Sequence, residues 1–225
     1  MKKIFLLLVV VMAVAATQVV AQQQPVRVGI RAGLNMANWQ GESVESINNL
    51  FEFADGAIKQ EMREGFHAGG FISIPVAPGF EIEPGLLYSQ KGTRVVGTLP
   101  WKETEFLNVK ATITNKAEYL ELPVLAKIYV GEGFNLFAGP QVSYLLSNKI
   151  QARAGALGFN VLNREWDMKS GMREFDVALT GGLGYRFSSG LSISAGYDYG
   201  LTTVDSNRRF ETYNGVIKGS VGFSF

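Results

Sequence analysis

Cysteine is absent from the 225 residues, and histidine occurs once, at His67. The absence of cysteine excludes a disulfide scaffold, a thiolate metal site, a cysteine nucleophile and a lipoprotein anchor. One imidazole cannot build a metal centre of several histidines. The 21 basic residues nearly balance the 20 acidic ones, so no global charge indicates a nucleic-acid partner. We therefore expect neither a cofactor nor a nucleic acid.

Long apolar runs are also absent beyond the start of the chain. Two lysines precede 13 uninterrupted apolar residues at 4–16, fewer than the roughly 20 that a spanning helix needs. Val19-Val20-Ala21 then fits the small residues that precede a signal-peptidase site. We predict a signal peptide over 1–21 and one mature domain over 22–225, which must use strands if it resides in a membrane.

Eight segments of the mature sequence alternate apolar and other residues with a period of two, which is typical of strands. They cover residues 26–36, 66–76, 80–88, 120–130, 134–146, 175–187, 191–201 and 213–225. Their apolar faces contain 50 positions and no charged residue, although 18% of the chain is charged and about nine charges would be expected there by chance. The pattern predicts strands with one apolar face.

The connections between these segments alternate in length. Three of them, 77–79, 131–133 and 188–190, have three residues and contain Gly or Pro, as hairpin turns do. The others have 29, 31, 28 and 11 residues. Short turns at one end, long loops at the other and an even strand number predict an all-β fold, an eight-stranded antiparallel up-and-down transmembrane β-barrel.

The two faces of the barrel are assigned by volume. The interior of an eight-stranded barrel is just wide enough to be filled by side chains, and 50 mostly bulky apolar residues exceed that space. A soluble barrel of the lipocalin type would turn them inward, so we predict instead that they face lipid. Aromatic residues near both ends of the strands are expected to form interfacial girdles.

The opposite, lumen-facing side carries five basic and five acidic residues. We predict that they form an interior network of ion pairs that plugs the lumen. Its members are Arg27, Arg31, Glu81, Glu83, Glu121, Lys127, Asp176, Arg186, Asp198 and Lys218.

Prolines inside the predicted strands each remove one donor from the ladder. They are Pro75, Pro84, Pro123 and Pro140. We predict β-bulges at or near some of them, with a register slip that the off-phase Tyr119 and Tyr129 also indicate.

The long connections contain two further signals. In the first, apolar residues have the spacing of one face of a short helix, which is either a lid or partner-binding element or, as we favour, a patch that packs on the barrel rim. These residues are Ile47, Leu50, Phe51, Ala54 and Ile58. Trp39 is expected to anchor at the interface, whereas Trp101 and Trp166 are either contact residues or loop anchors.

Catalysis has little support in the residues. His67 and Ser73 share a face but are six residues apart, roughly 20 Å along a strand, so they cannot form a dyad. We expect no catalytic residue and no metal site.

Several motifs resemble one known family. Residues 83–92, EPGLLYSQKG, resemble the third-strand motif of the outer-membrane protein β-barrel domain family, often labelled porin-like, and residues 119–127, YLELPVLAK, resemble its fourth-strand motif. Residues 138–140 and 197–201 continue the resemblance. It implies the fold and a Gram-negative outer-membrane location, and it supplies no catalytic residue. Val221, Phe223 and Phe225 resemble the terminal signal that the outer-membrane insertion machinery reads.

Together these patterns predict a non-enzymatic outer-membrane barrel with periplasmic termini and long extracellular loops, acting in surface interaction or membrane support. The expected partners are outer-membrane lipid, the insertion machinery and an extracellular ligand that the sequence does not name. Porin-like passage of small solutes is the alternative, and a lipid-modifying outer-membrane enzyme is the third hypothesis.

Overall fold

The computed structural model describes residues 25–46, 58–99, 109–156, 159–206 and 211–225. The predicted signal peptide over 1–21 lies outside these ranges, as do Ile47, Leu50, Phe51, Ala54 and Trp101. The strands are β1 (Arg27–Gln40), β2 (Ile58–Ala77), β3 (Phe80–Leu99), β4 (Val109–Val130), β5 (Phe134–Ala156), β6 (Phe159–Asp167), β7 (Phe175–Arg186), β8 (Leu191–Gly200) and β9 (Tyr213–Ser224). Within these ranges helix is limited to short turns at 42–46 and Lys169–Gly171, and no helix there is long and apolar enough to cross a membrane.

Eight of the strands form a closed antiparallel ring in the order β1-β2-β3-β4-β5-β7-β8-β9. The ring closes where β9 pairs with β1 over 12 residue pairs, from Gly29↔Ser224 to Gln40↔Tyr213. Closure pairs both edges of every strand in the ring, which removes the open edges of a sheet. The predicted eight-stranded antiparallel barrel is confirmed.

The apolar face of the ring points outward. Leu34 and Phe225 are 72% and 74% exposed, whereas the lumen-facing Glu121 and Asp198 are 0% and 1% exposed. A soluble protein buries its apolar side chains and exposes its charges, so this reversal requires an apolar medium around the ring. The assignment of the two faces is confirmed.

Aromatic pairs mark both rims of the apolar band. Tyr185–Phe187 and Phe223–Phe225 lie near the short turns, and Phe66–Tyr88 and Tyr144–Phe175 lie near the opposite rim, all with ring centroids 4.9–5.6 Å apart. Twelve residues separate Phe175 from Phe187 along β7, about 40 Å of strand. At a tilt of about 45° this length spans roughly 28 Å, which matches a hydrocarbon core.

Five strands continue past the rim opposite the short turns, and here the sequence-based boundaries were wrong. Much of the predicted 29-, 31- and 28-residue loops is strand, because β2 starts at Ile58, β3 ends at Leu99, β4 starts at Val109, β5 ends at Ala156 and β6 is additional. Ile58, assigned to a helix face, begins β2, Trp39 lies within β1, and the half-exposed Trp166 lies in β6. We call the part formed by residues 58–62, 93–99, 109–115, 149–156 and 159–167 the projecting sheet.

The polarity of the two faces reverses in the projecting sheet, which explains why the apolar alternation did not reveal it. Arg94 and Thr114 pair and continue the lipid-facing side of the ring, whereas Val95 and Ile113 pair and continue the lumen-facing side. Beyond the rim neither face contacts hydrocarbon, so nothing there requires an apolar outer side. Ladder hydrogen bonds continue between the strands there.

The four strand prolines disturb the ladders in different ways. The β2–β3 register shifts between Pro75 and Ala77, so the predicted bulge is confirmed at that proline. No register shift accompanies Pro84, Pro123 or Pro140. The β4–β5 ladder instead loses its pairing between Pro123 and Ala126 and resumes unshifted.

Tyr119 and Tyr129 were both expected to mark a register slip, and only one of them does. The β4–β5 register shifts between Glu118 and Tyr119, whereas Tyr129 pairs in register with Asn135. Both tyrosine side chains lie on the lumen-facing side of β4, in phase with Glu121.

The β1–β9 seam allows a matched test of lumen crowding with two glycines. A Cβ at Gly33 would overlap the carbonyl oxygen of Gly219 and approach the ring of His67, whereas a Cβ at Gly219 meets nothing within 4 Å. We expect Gly33→Ala to lower the free energy of unfolding by about 1–3 kcal/mol because the lumen is overpacked, and Gly219→Ala to leave it unchanged or slightly higher. Urea unfolding and heat-modifiable gel mobility measure both; equal effects would contradict a filled lumen.

Candidate functional site

The lumen holds the ten charged residues predicted to form a network, and the structure joins all of them in ion pairs. They form two groups. The turn-side cluster, near the short turns, contains Arg27, Arg31, Glu81, Glu83, Lys127 and Arg186. The loop-side cluster contains Glu121, Asp176, Asp198 and Lys218, and one further lysine, Lys91.

Two carboxylates organise the turn-side cluster. Glu81 pairs with Arg27 and accepts two hydrogen bonds from the guanidinium of Arg186, at 2.9 and 3.0 Å, and one from the Tyr129 hydroxyl at 3.0 Å. Such paired guanidinium–carboxylate bonds fix geometry as well as charge. The ring of Tyr129 lies 4.2 Å from the Arg186 guanidinium carbon, so this cation is also held over an aromatic face.

Glu83 is the second carboxylate, one lumen-facing position further along β3. It pairs with Arg31 and, at 2.6 Å, with Lys127 Nζ, and it accepts a hydrogen bond from Ser73 Oγ at 3.1 Å. The guanidinium of Arg31 also stacks 4.7 Å from the ring of Phe71. Each carboxylate of this cluster is therefore shared by two cations.

The loop-side cluster connects strands that are not neighbours in the ring. Lys218 Nζ on β9 lies 2.6 Å from Glu121 Oε2 on β4 and 2.6 Å from Asp198 Oδ2 on β8. Lys91 Nζ on β3 lies 2.8 Å from Glu121 Oε1 and 3.7 Å from Asp176 Oδ2 on β7. The Lys218–Glu121 and Lys91–Asp176 pairs cross the lumen and tie non-adjacent walls of the ring together. The other two pairs join neighbouring strands.

Lys91 and Arg63 are two buried cations that the sequence reasoning missed. Lys91 lies past the predicted end of the third strand, and Arg63 before the predicted start of the second. The Arg63 guanidinium donates hydrogen bonds to the backbone carbonyl oxygens of Lys91 and Ala117. Continuing the alternation from Glu81 and Glu83 along β3 reaches Lys91 on the lumen-facing side, so the signal was present.

Neutral polar side chains complete the loop-side cluster. Gln141 Nε2 and Thr180 Oγ1 donate hydrogen bonds to Asp198 at 3.0 and 2.9 Å, and Asn214 Nδ2 donates one to Asp176 at 3.0 Å. The bond from Thr180 satisfies Asp198 Oδ1, which no lysine contacts, whereas the other two add a second donor to oxygens that a lysine already contacts. Buried charges require such additional hydrogen bonds.

His67 and Ser73, considered above as a catalytic pair, bind separate partners. His67 is buried, with Nδ1 2.6 Å from Asn35 Oδ1 and Nε2 2.8 Å from Ser220 Oγ, whereas Ser73 binds Glu83. Across the described ranges no group of three or more acidic or histidine side chains is arranged to hold a metal ion.

Two small cavities interrupt the packing of the lumen. One of about 30 Å³ is lined by residues that include His67, Gln141 and Lys218, and one of about 20 Å³ lies in the turn-side cluster. Volumes of this size hold one or two water molecules each. Above the loop-side cluster the buried Tyr119 and Leu145 pack together. Side chains therefore fill the described lumen.

A third ion-pair group lies outside the lumen, where the projecting sheet joins the ring. Glu165 on β6 bridges Lys116 Nζ at 3.2 Å and Lys149 Nζ at 3.1 Å. Hydrogen bonds from Lys149 and Lys116 lower the pKa of Glu165, and the bond to Glu165 raises the pKa of Lys149. Because these side chains are exposed, solvent screens the pairs strongly.

The proposed terminal signal lies on the outer face at the short-turn rim. Val221, Phe223 and Phe225 are 54%, 39% and 74% exposed. The N–H of Phe225 donates a hydrogen bond to the carbonyl oxygen of Val28. The three side chains therefore form an apolar row beside the β1–β9 seam.

Comparisons with known proteins give one family match and several similar solved structures. A family model described as outer membrane protein beta-barrel domain matches residues 20–206. Ail, the attachment invasion locus protein of Yersinia pestis, solved in complex with the heparin analogue sucrose octasulfate, is similar with 12% identity and a TM-score of 0.44, over 90% of this chain and 100% of that chain. Neisserial surface protein A (NspA) is similar with 11% identity and a TM-score of 0.40, over 90% and 100%. No curated protein matches the chain.

Glu121 and Glu165 allow a matched test of the lumen network, because each carboxylate bridges two lysines. We expect Glu121→Gln to lower the free energy of unfolding by about 3–5 kcal/mol, because it leaves two buried ammonium groups short of a counter-charge. Glu165→Gln removes an exposed, screened carboxylate and should have no measurable effect. Urea titration of the folded barrel in micelles measures both, and similar losses in the two variants would refute the buried network.

Proposed function

The chain belongs to the outer membrane protein β-barrel domain family, and on that premise we propose that it is a non-enzymatic, plugged barrel that presents its projecting sheet outside the cell. Its outer-membrane location follows from the family and from the apolar outer face of the ring. The proposed role is surface interaction or support of the membrane.

The observation that carries this proposal is the filled lumen. Ion pairs cross it at two levels, and the two cavities that described residues line there have only about 30 and 20 Å³. A hydrated solute is larger than the one or two water molecules that fit there. The projecting sheet, by contrast, includes the last seven residues of β3, 93–99, about 23 Å of strand, and presents the exposed Ile113, Leu162 and Trp166.

The proposed orientation places the termini and short turns in the periplasm and the projecting sheet outside. Export by a signal peptide over 1–21 and insertion guided by Val221, Phe223 and Phe225 belong to this proposal. Its support is the asymmetry of the ring, because both ends of the described chain and the three turns that join β2 to β3, β4 to β5 and β7 to β8 lie at one rim. Outer-membrane barrels have short periplasmic turns and longer extracellular segments.

Passage of solutes is tested by removing one ion-pair group. In planar bilayers we expect no large steady current from the wild-type barrel, whereas Arg31→Ser, Glu83→Ser and Lys127→Ser together should produce discrete current steps because they empty one level of the lumen. The matched control is Lys116→Ser, Lys149→Ser and Glu165→Ser, which removes the same charges outside the lumen and should leave the barrel closed. Steady current through the wild type would favour the porin-like alternative, and a change in lipid mass on expression would favour an enzyme.

Orientation is tested with cysteines, since the chain has none of its own. Arg164 on β6 and Ser189 in a short turn are both exposed. On intact cells a membrane-impermeant maleimide should label Arg164→Cys and leave Ser189→Cys unlabelled, whereas after lysis both should react. The opposite pattern would overturn the proposed orientation.

A further inference from the structure

The turn-side cluster carries more positive than negative charge. It contains four cations and two carboxylates, a surplus of two positive charges, whereas the loop-side cluster contains two cations and three carboxylates. The side chains of Lys127 and Arg31 are only 9% and 11% exposed. Uncompensated charge at such depth is costly, so a compensating anion would stabilise the folded barrel.

A small cavity lies at the centre of this surplus. Its volume is about 20 Å³, and its lining includes Arg31, Lys127, Arg186, Asn135, Ser192 and Ser194 together with the carboxylate of Glu83. Three cations and several neutral donors therefore surround one acceptor group, which already binds two of the cations. The balance of the lining favours an anion.

The free hydrogen-bond donors point to the same conclusion. Ser192 and Ser194 line the cavity and are not fully buried, and within the described part of the chain their hydroxyl groups bind no other side chain. The Lys127 ammonium, with three N–H donors, has Glu83 as its ion-pair partner. Aromatic faces beside Arg31 and Arg186 hold those guanidinium groups in place at the wall.

We propose that this cavity binds one chloride-sized monovalent anion. The volume of about 20 Å³ is that of about one small sphere, so we expect a halide to fit better than sulfate or phosphate. Arg27 and Arg186 are 25% and 20% exposed at the short-turn mouth, so the anion has a route from that side. The site is independent of what the projecting sheet contacts.

The test is the response of the purified, full-length mature barrel in micelles to chloride at constant ionic strength. Replacing gluconate by chloride should raise the unfolding temperature saturably, by roughly 5 °C, and bromide should act similarly while sulfate does not. Broadening of the ³⁵Cl resonance by the protein measures binding directly. An unfolding temperature that is independent of chloride, or an unbroadened resonance, would overturn the proposal.

Two matched lysines locate the site. Lys127→Met removes part of the surplus and a donor, so it should abolish both the thermal response and the broadening. Lys218→Met removes an equally buried lysine from the loop-side cluster. This variant should keep both the thermal response to chloride and the broadening of the resonance, even if it unfolds at a lower temperature. Ser192→Ala with Ser194→Ala gives an uncharged second variant that should weaken binding at least several-fold. A response lost in Lys218→Met and kept in Lys127→Met would place the anion elsewhere and refute the assignment.

Discussion

The neutralisation of buried charge across the lumen is the constraint on which this barrel depends. Arg186 on β7 reaches Glu81 on β3, and Lys218 on β9 reaches Glu121 on β4, so these contacts join walls that share no ladder. An unpaired charge inside the ring costs several kcal/mol. The side chains that close the lumen are therefore the same ones that hold opposite strands at a fixed distance, and stability and impermeability have a common origin.

The sequence predicted the ring well because hydrocarbon acts on every strand in the same way. Each strand must present an apolar residue at every second position where it crosses the membrane, and that demand produced eight alternating segments and the correct faces. The same alternation located the lumen charges. Arg27, Glu83 and Lys218 were assigned to the inner side because they alternate with the apolar residues of their strands. Their pairing was not predictable, since it depends on the stagger of the strands around the ring.

The features that the sequence did not reveal lie beyond the part of the barrel that crosses the membrane. Beyond the rim, the polar Arg94 lies on the outer face and the apolar Val95 on the inner face. This order is the reverse of that in the membrane, so the sequence pattern there did not indicate strands. Lys91 was missed because the third segment was ended at Tyr88, where the outer face stops being apolar.

Bulges were equally hard to place, because a missing proline N–H shifts the register at Pro75 and only interrupts the ladder at Pro123.

The β1–β9 seam has a consequence for biogenesis. The last described strand, β9, is the partner of the first, β1, so a polypeptide that lacks β9 exposes two unsatisfied backbone edges, which promote aggregation. Contacts that span nearly the whole chain also form late, because they close the longest loop. A closed ring therefore requires that β1 and β9 are both present, and a product truncated before β9 would present open strand edges to which other chains can pair.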